Sequence, residues 1–319
     1  MDLLRFAIRR IVSAAVVLFL VSILTFLIFV SIPNGNPALR LAGRTATPAD
    51  IAAVTKAYGF DKPIYIQYLR MMRQIFSGQI QSYTQHVTVF SQIERGFPVT
   101  LSLAVGAAVV WLVFAAIFGI IGAFRAGSVE DTSLTALSFV GISAPSFVVG
   151  AILIYLLAYQ VHLFPESGYV GPTTSVLGWL HHMILPWFTL AILYIGIYAQ
   201  VLRSNILDTL NEDYVRTARA KGLSRRRVIV RHVLRSSLIP IVSLWGLDFA
   251  ALVGGSTIIV ETVFNLNGIG QYAAQSIGSL DVPPVMVVTL FGAFFVVLLN
   301  AIVDVLYATL DPRIRVGAS

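Results

Sequence analysis

Long apolar stretches alternate with shorter polar segments along the chain. Each stretch could cross a hydrocarbon layer of about 30 Å as an α-helix, since a helix rises about 1.5 Å per residue. A helix also satisfies its own backbone hydrogen bonds, as the membrane interior requires. The pattern therefore predicts six membrane-spanning helices, at residues 11–32, 98–124, 134–160, 184–202, 238–260 and 284–306.

The first stretch could instead be a cleaved signal peptide, because Arg5, Arg9 and Arg10 precede it. The run from Ile11 to Ile32 has 22 uncharged residues, longer than the apolar region of about 7–15 residues in a signal peptide. No cleavage site with small residues follows it. We therefore expect this stretch to remain as the first span.

The segment between the first two spans, residues 33–97, contains signals for two short helices. Residues 47–50, Thr-Pro-Ala-Asp, provide an N-cap, a proline at the first helical position and an early acid, and Gly59 is placed to end that helix. A second helix is predicted from Asp61 to Gly78. Both helices could guide a substrate, dock an external partner or simply cover the bundle.

Composition supports a membrane protein. Hydrophobic residues make up 57% of the 319 residues, charged residues make up 12%, and the mean hydropathy is +0.84. That is more apolar surface than a soluble core could bury. The chain has no cysteine, which excludes disulfides and thiolate metal sites. A formal charge of +7 could indicate nucleic-acid binding, so the positions of the basic residues matter.

The basic residues concentrate on one side of the predicted bundle. Fifteen of the 22 lie in the ends of the chain (residues 1–10 and 307–319), at Arg125 and in the segment 203–235, whereas the loops after Gln160 and Val260 contain none. Short loops rich in Lys and Arg stay in the cytoplasm. We therefore expect both termini and residues 203–235 to be cytoplasmic, and residues 33–97 to lie outside.

The segment 203–235 predicts two short helices joined at a glycine. The first helix ends at Gly222, and Ser224 is placed to cap the second. Ala218 and Gly222 are small enough to let another protein approach closely. Such a unit could project from the membrane and enter a groove on a partner.

Tyr214 and Val215 would give this unit apolar contacts with a partner. Charge alone is also consistent with two simpler roles, because nine basic residues beside a membrane also occur as a topology determinant or as a contact with anionic lipid. Binding of nucleic acid is disfavoured, since the cluster is short and lacks interleaved aromatic residues.

The core of the segment resembles the cytoplasmic Glu-Ala-Ala loop of ABC importer permeases, in the variant typical of the dipeptide, oligopeptide and nickel permease family. The matching residues are Tyr214, Val215, Arg216, Thr217, Ala218, Arg219, Ala220, Lys221, Gly222 and Leu223. Arg216 and Thr217 depart from the broader superfamily, which has Glu and Ala there. Arg235 replaces a proline, and Pro240 comes later, so no salt bridge can be assigned to the missing acid.

Further motifs resemble the same family at matching places in the chain. They are Arg9-Arg10, Ser31-Ile32-Pro33 with Asn36-Pro37, Glu261-Thr262-Val263-Phe264 with Gly268-Ile269-Gly270, and Leu310-Asp311-Pro312-Arg313-Ile314-Arg315. Their order and spacing extend the resemblance over nearly the whole chain. The chain is most similar to the first-subunit type of dipeptide and oligopeptide permeases.

The resemblance implies an all-α integral membrane protein of the bacterial inner (plasma) membrane. The implied architecture is the six-helix permease fold of type I ABC importers, with a helical extracytoplasmic insertion after the first span. The loop around Gly222 would be a coupling helix, seated in a cleft of a cytoplasmic ATPase. Closure of two ATPases around nucleotide would switch the spans from inward-facing to outward-facing.

The implied partners are a second homologous permease subunit, one or two cytoplasmic ABC ATPase subunits, an extracytoplasmic peptide-binding protein and membrane lipid. This chain has no G-x-x-x-x-G-K-[ST] phosphate loop. ATP and Mg would therefore be bound by the ATPase partners. For this chain we expect no catalytic residue, no metal and no cofactor.

Three polar residues within the predicted spans are candidates for the translocation path. Asp248 lies near the middle of the fifth span, where an acid costs about 2.5 to 3.5 kcal/mol on insertion scales. It could meet a peptide ammonium group or a polar group of the partner permease, or make a structural hydrogen bond. Asn300 and Asp304 in the last span pose the same choice, and structural pairing is favoured for Asp304.

Glycines and a proline suggest irregular or closely packed places in the spans. Gly141, Pro145 and Gly150 predict a kink in the third span. The sequence Gly-Gly-Ser at residues 254–256 predicts either a tight helix contact or a gate.

An ion-driven secondary transporter is a competing function, in which Asp248 and Asp304 would bind a proton or sodium ion. Such a carrier works alone in liposomes, whereas an ABC permease needs its ATPases. An intramembrane hydrolase is disfavoured, because the spans show no Ser-His or paired-acid arrangement.

The substrate stays open between dipeptides, longer peptides, glutathione and nickel chelates, all of which the resembled family transports. The adjacent pair His181–His182 has no partner at helical spacing and is a poor metal site. This favours an interfacial structural role for the pair, and peptide over metal as the substrate.

Overall fold

The chain is almost entirely helical in the computed structural model, which describes residues 3–31, 37–42 and 46–310. The helices are α1 Leu3–Ser31, α2 Pro37–Ala42, α3 Pro48–Tyr58, α4 Ile64–Phe76, α5 Val89–Phe124, α6 Val129–Ser143, α7 Ser146–Leu153, α8 Val176–Leu210, α9 Asp213–Ala220, α10 Arg225–Val228, α11 Arg235–Ser237, α12 Ile239–Ala251, α13 Ile258–Val263, α14 Ile269–Gly278 and α15 Val282–Leu310. π-Helical segments follow α7, α10 and α12, at Ile154–Gln160, Ile229–Leu234 and Leu252–Ser256. The prediction of an all-α chain is confirmed.

Some of the motifs noted in the sequence lie outside the described residues. These are Ile32-Pro33 and Asn36 after the first helix, and residues 311–315 near the end of the chain. The side chains of Arg9, Arg10 and Asp304 are likewise outside the described part, although their helices are included.

Within the described residues, five helical segments are long and apolar enough to cross a membrane. They are Ile11–Phe29, Val89–Phe124, Val176–Leu210, Arg225–Ser256 and Val282–Val303. A sixth crossing is present if the pair Val129–Ser143 and Ser146–Gln160, bent by 105°, forms one span. The chain is therefore a multi-pass membrane protein.

The bend between α6 and α7 is the predicted kink of the third span. Ala144 is extended (φ −81°, ψ 121°), as the residue before a proline prefers, and Pro145 caps the next helix. Gly141 and Gly196 allow α6 to lie close to α8, since a Cβ at Gly196 would stand 2.5 Å from the backbone oxygen of Ser138.

α5 and α8 form the centre of the bundle. Trp111 of α5 is fully buried and stacks on Tyr194 of α8, with ring centroids 4.6 Å apart. About two helical turns away, Trp187 packs on Gly106 and donates its indole N–H to the backbone oxygen of Ser102 at 3.0 Å. Both helices extend past the predicted spans. α5 begins at Val89 instead of Pro98, and its interior accommodates the proline.

The fifth and sixth spans meet through glycines. A Cβ on Gly254 would stand 2.5 Å from Cγ2 of Val296, and a Cβ on Gly292 would collide with the backbone oxygen of Gly254. Gly255 has φ +136°, a conformation that L side chains rarely adopt. The prediction of a tight helix contact at residues 254–256 is confirmed, and the contact is combined with a break in the helix.

Residues 46–88, here called the insertion, contain the two predicted short helices. α3 begins with a capping box formed by Thr47 and Asp50 and ends at Gly59, whose φ is +73°. α4 begins at Ile64 without a side-chain cap. The predicted start at Asp61 was wrong, because the residue before Pro63 avoids the helical conformation.

A buried carboxylate fastens the insertion to the start of α15. Asp281 is 2% exposed. It accepts the hydroxyls of Ser82 and Thr84 at 2.5 and 2.7 Å, and the backbone N–H groups of Tyr83 and Thr84 at 3.0 and 3.2 Å. Burial, with the charge of Asp281 as the next cause, raises the pKa of Tyr83 to about 12, so this phenol stays protonated at neutral pH.

Candidate functional site

Residues 213–223, here called the elbow, turn sharply at a glycine. Gly222 has φ +75°, and its N–H donates to the backbone oxygen of Arg219 at 2.9 Å. A Cβ at this position would find no atom within 4 Å. The position therefore requires a left-handed backbone while leaving the surrounding space open.

The elbow is fastened to the ends of two long helical segments. Tyr214 donates its hydroxyl to Ser236 at 3.0 Å. The neighbouring Ser237 donates to the hydroxyl of Thr209, at the end of α8, at 3.1 Å. Val215 is fully buried in the chain's own core. Ser236 and Ser237 thus connect the elbow to the end of α8 and to the segment that begins at α10.

Burial divides the elbow residues into two groups. Val215 and Ala218 are 0% and 6% exposed and face inward. The expectations that Val215 offers apolar contact to a partner and that Ala218 allows its close approach were therefore wrong, because the protein's own core covers both. The exposed members are Asp213, Tyr214, Arg216, Thr217, Arg219, Ala220, Lys221 and Gly222, whereas Leu223 is half-buried.

The second short helix of this segment begins as predicted but without its predicted cap. Ser224 occupies the N-cap position of α10, and its side chain makes no capping hydrogen bond. Arg225, Arg226 and Arg227 follow it and are all exposed. Together with the exposed bases of the elbow they form a strongly cationic surface.

An ion pair joins α8 to the first turn of α6. Arg203 of α8 donates from Nε and an Nη to the two carboxylate oxygens of Asp131 at 2.6 and 2.7 Å. Asp131, in the first turn of α6, is 5% exposed and also accepts the backbone N–H of Gly127 at 2.9 Å. A bidentate, largely buried pair of this kind fixes geometry. The sequence reasoning did not single it out.

Asp248, the acid in the fifth span, accepts the hydroxyl of Tyr198 at 2.6 Å. Tyr198 is fully buried, whereas Asp248 is only half-buried. Tyr198 also lines an apolar cavity of about 410 Å³ with Trp245 and Leu202. The structural hydrogen bond that the sequence allowed for Asp248 is thus present, and part of the carboxylate stays available for another contact.

Of the other two candidates for the translocation path, Asn300 has a described side chain. Within the described residues no hydrogen bond is made to Oδ1 of Asn300, a buried atom. Asn300 lies on α15, which packs against α12. The structure does not describe the side chain of Asp304.

Glu261 is a fully buried acid whose carboxylate accepts several hydrogen bonds. It is 0% exposed, and its carboxylate accepts the hydroxyls of Thr100 and Thr257 at 2.7 and 2.9 Å and the N–H of Gln271 at 2.9 Å. Gly268 leaves room for the carboxylate, since a Cβ there would collide with it. The acid thus ties α5, α13 and the N-terminus of α14 together.

Comparison with known proteins gives matches over most of the chain. The family described as binding-protein-dependent transport system inner membrane component matches residues 115–316, and its N-terminal counterpart matches residues 3–104. The Bacillus subtilis protein named oligopeptide transport system permease protein AppB is 35% identical, over 97% of this chain and 99% of its own length.

Two further relatives match at similar levels. The Sinorhizobium fredii protein named "Probable peptide ABC transporter permease protein y4tP" is 35% identical over 97% of this chain and 99% of its own length. The Salmonella paratyphi A protein named glutathione transport system permease protein GsiC is 34% identical over 98% of this chain and 99% of its own length.

Proposed function

Because this chain belongs to the family of binding-protein-dependent transport system inner membrane components, we propose that it is a transmembrane permease subunit of an ABC importer for dipeptides and oligopeptides. Two of the relatives are named for peptide or oligopeptide transport. The chain forms the membrane path and is not itself an enzyme. Its place is the bacterial inner membrane, with both termini in the cytoplasm.

The observation that carries this proposal is the elbow. Its exposed surface is small and cationic, while the buried Val215 packs into the core and Tyr214 donates a hydrogen bond to Ser236 of α11. Such a unit suits a mechanical input: an ATPase holds the exposed side, and the buried side passes the displacement to the spans. If the free energies of two arrangements of the bundle differ by only a few kcal/mol, nucleotide-bound partners can shift the population from one arrangement to the other.

The partners follow from this mechanism. Cytoplasmic ABC ATPases, as one fused chain or two, bind ATP and Mg and receive the elbow. A second permease subunit completes the path. An extracytoplasmic binding protein delivers the peptide.

We place Asp248 on the translocation path as a transient partner for a peptide ammonium group. Its half-exposed carboxylate is held by Tyr198 at 2.6 Å, beside the apolar cavity formed with Trp245. Asn300 and Asp304 belong to α15, and we keep them as further candidates for the path. An apolar cavity with one acid hydrogen-bonded to its wall suits the passage of peptides of varied sequence.

Substitution of Gly222 tests the coupling role. Gly222→Val places a β-branched residue at φ +75°, which costs about 1–2 kcal/mol, equivalent to about a 5–30-fold shift in the population of the elbow conformation. Gly222→Asn is the matched control, since Asn tolerates this conformation and the position is spacious. The measurement is peptide uptake and ATP hydrolysis by the assembled transporter in proteoliposomes.

We expect Gly222→Val to import less peptide per ATP hydrolysed, by a factor in that range, while Gly222→Asn stays close to the wild type. Equal uptake by both variants would refute the coupling assignment. The competing secondary transporter is tested in parallel: uptake by this chain alone, driven by an ion gradient, would replace the ABC proposal.

The substrate class is tested through the cognate binding protein. The glutathione permease among the relatives makes glutathione the main alternative to ordinary peptides, and nickel chelates are a further one. Retention of dipeptides or longer peptides, but not glutathione or nickel, is the expected result.

A further inference from the structure

Two faces of helix α4 lie against other parts of the protein or line a cavity. Met71 is buried and Ile75 packs beside it, so one face points into the core. Gln67, Arg70 and Gln74 line a cavity of about 540 Å³ between the insertion and the start of α15. The polar side of the helix therefore faces an open, polar space.

A third face of α4 is apolar and exposed. Tyr65, Leu69 and Phe76 are 65%, 62% and 85% exposed, and the half-buried Met72 lies among them. Spacings of four, three and four residues put these side chains in one row along the helix. Single exposed apolar residues are ordinary, but a continuous row marks a surface that is covered in the working protein.

Contacts between α4 and α1 indicate how deep this row lies along the membrane-spanning part of α1. The hydroxyls of Tyr68 and Ser22 are 2.7 Å apart, and the rings of Tyr68 and Phe26 meet edge to face at 5.4 Å. Ser22 is 1% exposed and lies seven residues before the end of the apolar window Ile11–Phe29. At about 1.5 Å per residue that is about 10 Å inside the end of the window.

The exposed row begins on the side of α4 that touches α1. Tyr65 and Met72 are three residues before and four residues after Tyr68, so they flank the contact. On α1 itself, Leu20 and Leu24 are 58% and 61% exposed. The row is therefore placed to continue the surface that the first span presents to acyl chains.

A cation lies at the edge of the row. Arg73 is exposed, four residues after Leu69 and three before Phe76. A long basic side chain in that position can extend to lipid phosphate while its methylene groups stay in the apolar layer. Helix α4 thus combines an apolar row, a cation at its edge and a polar face on the opposite side. This combination is typical of a helix that lies in a membrane interface.

We propose that α4 is an interfacial helix whose Tyr65–Leu69–Met72–Phe76 row is buried among the acyl chains of the outer leaflet. The insertion then rests in the membrane instead of standing above it. The polar face then lines the cavity between the insertion and the start of α15, and the lipid contact holds that cavity wall in place. The proposal depends on α1 crossing the membrane, and it is independent of which substrate is transported.

Spin labels test this assignment without background from this subunit, because the chain has no cysteine. Single variants Leu69→Cys and Phe76→Cys are labelled in the assembled transporter, with partner cysteines replaced, in nanodiscs of phosphatidylethanolamine and phosphatidylglycerol. Val16→Cys, 50% exposed on α1, is the lipid control. Gln79→Cys, in the cavity lining and exposed, is the water control.

We expect labels at Leu69 and Phe76 to collide more often with oxygen than with a water-soluble nickel complex, as at Val16, and the label at Gln79 to show the reverse. High collision with the nickel complex at Leu69 and Phe76 would overturn the proposal, because the row would then face water. A low collision frequency with both reagents would also overturn the proposal. If that frequency then rose after removal of the binding protein or the second permease, the occupant of the row would be a protein.

Discussion

At the scale of single residues, two buried acids of this membrane protein, Glu261 and Asp281, are held by neutral donors. Glu261 accepts from two threonine hydroxyls and one backbone N–H, and Asp281 accepts four hydrogen bonds from the loop after α4. A buried acceptor that loses its partners costs about 1–3 kcal/mol or more. Both acids therefore hold together segments that are distant in sequence.

Gly268→Ala is expected to destabilise the protein by about 1–3 kcal/mol through overpacking. Gly268 itself has an ordinary backbone (φ −81°, ψ −178°) that alanine can adopt, so the cost comes from the collision of the new Cβ with the Glu261 carboxylate. The measurement is the thermal unfolding midpoint in detergent. Gly278→Ala is the control, because a Cβ there meets no atom within 4 Å. Equal midpoints for both variants would show that the carboxylate is not held in place.

Sequence reasoning identified some of these residues and missed their partners. The cost of an acid in an apolar stretch singled out Asp248, but Tyr198 is 50 positions away and one of twelve tyrosines. Glu261 and Gly268 were noticed only as parts of a family motif. Their contact explains the motif physically: the glycine makes room for the acid. Such pairings depend on the crossing of helices, which a one-dimensional pattern does not contain.

At the scale of elements, hydropathy located the spans but not their ends. The apolar run marks the part of a helix that lies in lipid, whereas α5 and α8 continue through polar residues such as Glu94 and Arg203 because packing, not lipid, supports those turns. Pro145 correctly predicted the break in the third span. The π-helical segments carry no simple sequence signal, apart from the glycines at 254 and 255.

The contact between α15 and the broken fifth span depends on the absence of a side chain at Gly292. Gly292→Ala would push a Cβ into the backbone oxygen of Gly254, which cannot move without displacing the segment Leu252–Ser256. We expect a loss of about 1–3 kcal/mol and a lower unfolding midpoint. Phe294→Leu on the same helix, at a 46% exposed position, should change the midpoint little. Comparable midpoints for the two variants would contradict the close crossing.

At the scale of the whole molecule, the elbow is joined to more than one span. Val215 packs into the same core as α5 and α8, and the Asp131–Arg203 pair links the start of α6 to the cytoplasmic end proposed for α8. In the proposed mechanism, Val215 passes a push on the exposed elbow to the core that α5 and α8 share. This arrangement suits a two-state switch better than a local hinge, since packed interfaces change between discrete arrangements.

The orientation of the whole molecule is the remaining condition for this mechanism, and single cysteines can test it. The exposed Thr173 lies in the loop after α7, which has no Lys or Arg, and the exposed Arg226 follows the elbow. Because basic loops are retained in the cytoplasm, a membrane-impermeant maleimide added to intact cells should label Thr173→Cys and should label Arg226→Cys only after the membrane is opened. The reverse pattern would place the elbow outside, beyond the reach of any ATP-hydrolysing partner, and the coupling mechanism would fail with it.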